Sequence, residues 1–78
     1  MKELVEYIAK SLVENPTQVN VVEIEEGEHI RIELTVAKED MGRIIGKGGR
    51  VANSIRTLLR VAAAREGKRA SLDVIEPQ

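Results

Sequence analysis

The sequence predicts an α+β domain with the element order αββααβ: a three-stranded mixed sheet with three helices packed on one face. Three observations lead there. Apolar residues recur at helical spacing near the N-terminus and again after a glycine-rich turn. Two stretches of alternating apolar and polar residues are joined by a very short connection, which makes them an antiparallel hairpin. A last strand-like segment follows the second long helix, and a strand–helix–helix–strand crossover returns parallel to its starting strand.

Each element has a local reason. Residues 2–14 place Leu4, Val5, Ile8, Ala9, Leu12 and Val13 on one side of a helix, closed by Asn15-Pro16. Val19 to Glu25 reads as a strand in which Val22 and Ile24 alternate with Glu23 and Glu25, and Glu26-Gly27 supplies the turn. Ile30, Ile32, Leu34 and Val36 then alternate with His29, Arg31, Glu33 and Thr35, the clearest strand pattern in the chain. Lys38 to Ile45 forms a short helix with Met41, Ile44 and Ile45 on its apolar side. A second long helix runs from Gly49 or Arg50 to about Glu66, with Val51, Ile55, Leu58, Leu59 and Ala62 as its apolar stripe and Gly67 as its stop. Ala70 to Glu76 forms the final strand, with Leu72 and Val74 facing inward. Alternation in the strands leaves the far face of the sheet polar.

The 78 residues make one small domain, 1–78, with no internal repeat, linker or low-complexity segment. A domain of this size buries only about 60% of the surface of its unfolded chain, so association with a partner adds stability. Without cysteine there is no disulfide framework or thiolate metal site, and His29 is the single histidine. No metal, cofactor or catalytic triad is implied. Neither a signal peptide nor an apolar run of membrane-spanning length is visible, which leads us to expect a soluble, cytoplasmic protein.

The net charge of −1 conceals a division. Eight cations lie between Gly42 and Arg69 with Glu66 as the only acid among them, whereas the remainder holds four cations and twelve acids. A nearly neutral chain thereby carries one strongly basic segment. That segment contains Gly42-Arg43-Ile44-Ile45-Gly46-Lys47-Gly48-Gly49-Arg50. Its glycines leave backbone N–H groups uncovered and open a helix, whose N-terminus favours anions. A Walker A loop needs four residues before Gly-Lys and a following Ser or Thr; here three precede and Gly48 follows, so no Mg²⁺-binding hydroxyl is present. A Rossmann fingerprint would need Gly or Ala at Val51 and a strand before the loop.

Ile44-Ile45-Gly46-Lys47-Gly48-Gly49 resembles the I-I-G-x-x-G signature of KH domains, set between two helices as that fold requires. The whole order αββααβ is similar to the prokaryotic, type II KH arrangement. More narrowly, the chain resembles the small stand-alone bacterial KH proteins of the KhpA family, which also carry an Arg-rich helix with an Ile-Arg-Thr run, here Ile55-Arg56-Thr57, and an alanine-rich end. The resemblance implies single-stranded RNA binding, with the GxxG loop clamping about four backbone nucleotides. Carried onto this sequence, Gly46, Gly48 and Gly49 admit the backbone, Lys47, Arg50 and Arg43 neutralise phosphates, and Ile44 offers an apolar surface to a base. Arg56, Arg60 and Arg65 read as ordinary solvated helix residues, His29 as surface, and Glu39 and Asp40 as acids favourable to a helix start.

Two features qualify the grip. In the type II fold the connection between the first two strands faces the GxxG loop; here Glu25-Glu26-Gly27-Glu28 is short and acidic. The chain also lacks Phe and Trp, and Tyr7 lies on the first helix, so base stacking, about 1–3 kcal/mol per base, is missing. We therefore expect weak, salt-sensitive binding of low sequence selectivity, strengthened by pairing. Ser54, Thr57, Leu58, Val61 and Ala64 form a stripe beside the core face of the last helix that suits such a contact. The resemblance implies self-association or pairing with a larger KH-containing RNA-binding protein. The alternative is a dimerisation or scaffold module in which RNA contact is secondary. No residue constellation supports an enzyme.

Overall fold

The computed structural model describes residues 1–77. Its order is α1 (Lys2–Leu12), β1 (Asn20–Glu26), β2 (His29–Thr35), α2 (Met41–Ile45), α3 (Arg50–Arg65) and β3 (Arg69–Ile75), with single 3₁₀ turns at Pro16–Gln18, Lys38–Asp40 and Lys47–Gly49. The sheet order is β1-β2-β3, antiparallel between β1 and β2 and parallel between β2 and β3. The expected α+β fold and mixed sheet are both present.

Strict alternation makes β2 the centre of the sheet. Ile30, Ile32 and Leu34 are buried beneath the helices, while Arg31, Glu33 and Thr35 turn to the open face. Pairing brings Val21 opposite Leu34, and Leu72 beside Ile32, onto the same covered face. Val5, Ala9, Ile44, Ile55 and Leu59 from the three helices complete one continuous core.

In β1 the phase differs from the sequence reading. Val21 is buried and Val22 is exposed, so Glu23, not Ile24, shares the helix side with Val21. Glu23 is tolerated there because its Oε1 accepts the N–H of Lys2 at 2.9 Å, satisfying one of the unpaired donors of the first turn of α1. The strand thus spends an acidic position on holding the neighbouring helix. Its turn is also shifted by one residue, to Gly27-Glu28, with Gly27 at φ +63° and no positive φ at Glu28. That sign pattern matches a type II′ hairpin, whose first central residue favours glycine.

Helix α1 stops at Leu12, two residues before the expected end, because Val13 is already extended at φ −93°, ψ 159°. The next N–H groups find a different acceptor. Asp40, which is 0% exposed, receives the N–H of Glu14 at 3.0 Å and of Asn15 at 3.1 Å on its two carboxylate oxygens. Far from being a surface acid at a helix start, Asp40 ties the end of α1 to the start of α2. Arg43 completes this node, donating from Nη1 to Asp40 at 3.1 Å and from Nη2 to Glu14. At the far end of α3, Gly67 at φ +69° closes a Schellman cap: Gly67 N–H bonds Ala64 O, and Lys68 N–H bonds Ala63 O.

The hydrogen bond from the backbone of Glu14 is the main cause holding the Asp40 carboxyl below its ordinary range; the Asn15 N–H and Arg43 add to it, against the opposing effect of burial. A carboxyl depressed on folding contributes stability above its unfolded value, near 3.8, and loses that contribution as pH falls through the folded value. Asp40→Asn is accordingly expected to melt at lower temperature than the parent at pH 7. Its midpoint should depend less on pH below about pH 4, as followed by circular dichroism melts across pH 2–7.

Candidate nucleic-acid interface

The loop Gly46-Lys47-Gly48-Gly49 occupies the gap between α2 and α3 as a tight turn with three positive φ angles: +74° at Gly46, +63° at Gly48 and +80° at Gly49. Sterics explain the first glycine most sharply. A Cβ on Gly46 would lie 2.4 Å from Cγ2 of Val51, so the loop can fold back onto α3 only without one. A Cβ on Gly48 would meet nothing within 4 Å. Gly48 is an open position facing outward, and its side-chain-free backbone is accessible to a ligand.

The backbone of the turn divides its donors. Gly46 N–H bonds Gly42 O, Gly49 N–H bonds Gly46 O, and Arg50 N–H bonds Lys47 O. Among the described residues no acceptor engages the N–H groups of Lys47 and Gly48. Lys47 and Arg50 are exposed and form no ion pair among the described residues. Two free N–H groups, two free cations and the N-terminus of a 16-residue helix therefore converge on one small surface.

Two of the residues expected at this surface are elsewhere. Ile44 is 0% exposed and packs in the core, so it cannot meet a base; Ile45, 39% exposed and adjacent to Gly46, is the apolar residue at the loop. A five-residue helix lets one of two consecutive isoleucines point inward and turns the other through about 100°. Arg43 is held by Asp40 and Glu14, and its charge serves the α1–α2 junction. The acidic turn also lies away from the loop. Arg69 N–H bonds Glu28 O at 2.8 Å and Lys68 Nζ lies 3.6 Å from Glu25, placing the turn at the C-terminal end of α3. A helix of 16 residues separates it from the GxxG loop by about 24 Å.

One contributor escaped the sequence reading. Arg56 is half-buried and reaches from α3 across to β3, where its Nε–H donates to Leu72 O at 3.3 Å. Arg69 N–H turns toward β2, so Ala70, Leu72 and Val74 present their backbone groups to the free edge of the sheet. Arg56 therefore lines the cleft between α3 and that edge. Asn53 accepts from Arg56 Nη1 at 3.0 Å and lies beside Gly49, linking the cleft to the loop. The signal was the spacing 49, 53, 56 along one flank of a helix, but the side of the helix that meets the sheet edge had to be known first.

A KH-domain family model, KhpA/KhpB, matches residues 2–74. The chain belongs to the KhpA/KhpB KH-domain family. It is 52% identical over 75 residues to the RNA-binding protein KhpA of Clostridium perfringens, covering 96% of this chain and all of the relative. The KhpA protein of Caldanaerobacter subterraneus is 55% identical over the same shares. KhpA of Chlamydia trachomatis is 47% identical over 76 residues, 97% of each chain. The free loop donors thus sit at the position that defines the KH signature. No group of residues able to hold a metal ion and no helix long and apolar enough to cross a membrane occurs among the described residues.

The fit of Gly46 against Val51 gives the loop a test of its own. Gly46→Ala should lower stability by about 1–3 kcal/mol in denaturant unfolding, from overpacking at a positive φ. An unchanged midpoint would mean that the loop is not packed on α3 as described.

Proposed function

We propose that this protein is a non-catalytic RNA-binding KH domain that clamps the backbone of short single-stranded RNA at the loop between α2 and α3. The observation that carries this reading is the convergence of the unengaged N–H groups of Lys47 and Gly48 with the unpaired charges of Lys47 and Arg50. Phosphate oxygens satisfy both kinds of group at once. Gly46 and Gly49 shape the turn, Ile45 offers the apolar contact, and Arg56 bounds the cleft. The names of the relatives support RNA as the ligand. With no aromatic side chain on the loop or on α3, the grip is electrostatic, weak, salt-sensitive and of low sequence selectivity. A cytoplasmic protein of one domain fits this role.

A second reading concerns pairing, and the exposed flank of α3 favours it. Leu58 and Val61 are 51% and 50% exposed, between Ser54, Thr57 and Ala64. The hydroxyls of Ser54 and Thr57 already donate to Arg50 O and Asn53 O, so covering them strands no donor. Such a face suits the same helix of a second copy, or of a larger KH-containing partner, and pairing would bring two loops onto one RNA.

Lys47→Asp combined with Gly48→Asp places two negative charges where phosphates are to bind; Gly48 has room for the new side chain, and its φ of +63° makes the substitution cost some stability. Crosslinking to cellular RNA should fall severalfold while circular dichroism reports an intact fold; undiminished crosslinking would remove the clamp. Val61→Asp should reduce the mass seen by light scattering at high protein concentration. A mass that stays the same would discard the helix interface.

A further inference from the structure

The face of the sheet turned away from the helices is neither wholly polar nor evenly charged. The strand registers arrange its side chains in rows across β1, β2 and β3. One central row holds Val22, Glu33 and Asp73, and the next holds Ile24, Arg31 and Ser71. Val22 is 42% exposed, and Glu33 and Asp73 form no ion pair among the described residues. Glu33 lies directly beside Asp73, two like charges on adjacent strands with no cation in their row, an arrangement that is destabilising by itself. Arg31 is poorly matched as well. Its Nε is enclosed without a hydrogen-bond partner, and the carboxylate of Glu26 is 3.9 Å away.

We propose that this open face is a contact between two copies of the chain, whose sheets pack face to face about a twofold axis that crosses the strands between the two central rows. Such an axis lays each strand antiparallel over its own counterpart and exchanges the rows. Val22 then meets Ile24 of the second copy, Glu33 meets its Arg31, and Asp73 meets its Ser71. Symmetry repeats every pair, so four apolar side chains are covered and two acid–base pairs form. The outer rows agree: Thr35 faces His29, Ile75 faces the aliphatic stem of Arg69, and no like charges are opposed. The charges also select this axis over the other. A twofold axis running along the strands would set Glu33 on Glu33 and Arg31 on Arg31, which like-charge repulsion opposes. The face measures about 14 by 23 Å, from three strands about 4.8 Å apart and seven residues at about 3.3 Å each. Stable complexes bury about 1,200 Å² or more in total, so this contact is weak on its own. Because the helices cover the other side of the sheet, pairing through α3 leaves the open face free, and the two contacts together extend the assembly beyond a dimer.

Val61→Asp is the background for the test, because it sets the α3 contact aside whether or not that contact forms. Concentrated from about 0.05 to about 1 mM, the range suited to an interface this small, its mass by sedimentation equilibrium should climb toward that of two chains. Amide NMR signals of Val22, Ile24, Arg31 and Glu33 should shift over the same range. Arg31→Glu and Glu33→Arg, each added singly to that background, should weaken association about tenfold, since each opposes like charges across the axis. An equimolar mixture of these two variants should recover the lost affinity, because every facing pair at the centre of the mixed dimer is again one acid and one base. Mixing cannot repair a damaged fold, so recovery reports the interface itself. A mass that stays at one chain throughout would overturn the proposal. So would a mixture that associates no more tightly than the single variants, or concentration-dependent shifts that fall outside the open face.

Discussion

The buried carboxylate of Asp40 is the constraint on which the helix layer depends. It takes the N–H groups that follow α1, anchors the start of α2 and captures Arg43. In doing so it sets where α2 begins, and α2 has only five residues in which to aim the loop. A small domain with few helical turns cannot rely on ridge-and-groove packing alone to orient so short an element. One polar node with all its partners present supplies the direction, and any missing partner would leave a buried charge unsatisfied.

From this node the loop follows. Ile44 drops into the core beside Val5, Ile55 and Leu59, which roots α2, and Ile45 is left at the surface. Gly46 then lets the chain fold back on Val51, and α3 starts at once. The free N–H groups of Lys47 and Gly48 are a consequence of that tight reversal, because two consecutive donors lie outside both helical ladders. The proposed clamp draws on groups that packing has left without partners.

Charge is distributed by the same logic. The basic segment faces two ways: Lys47 and Arg50 remain free at one end of α3, while Arg43 is consumed by the fold and Lys68 is balanced by Glu25 at the other end. Glu25 of the β1–β2 turn thus balances the cation Lys68 beyond the C-terminal end of α3, at the end of the helix away from the loop. Arg56 has a further structural consequence. By bonding Leu72 O it occupies part of the free edge of β3, which would otherwise invite pairing with another strand.

The order of elements, the central strand and the nature of the loop were legible in the sequence, because each rests on local periodicity or on glycines adjacent in the chain. Strict alternation from His29 to Val36 admits one inward face, and three glycines in four residues after two isoleucines admit few conformations. Other features depended on neighbours distant in sequence. Glu23 belongs on the helix side only because α1 begins above it, and Asp40 is buried only because the chain beyond α1 turns its N–H groups inward. Whether Ile44 or Ile45 meets solvent, whether Arg43 is free and where the acidic turn lies are likewise tertiary decisions. Local pattern sets which residues can share a face, but partners twenty or more residues away decide which face is covered and which charges are left to bind a ligand.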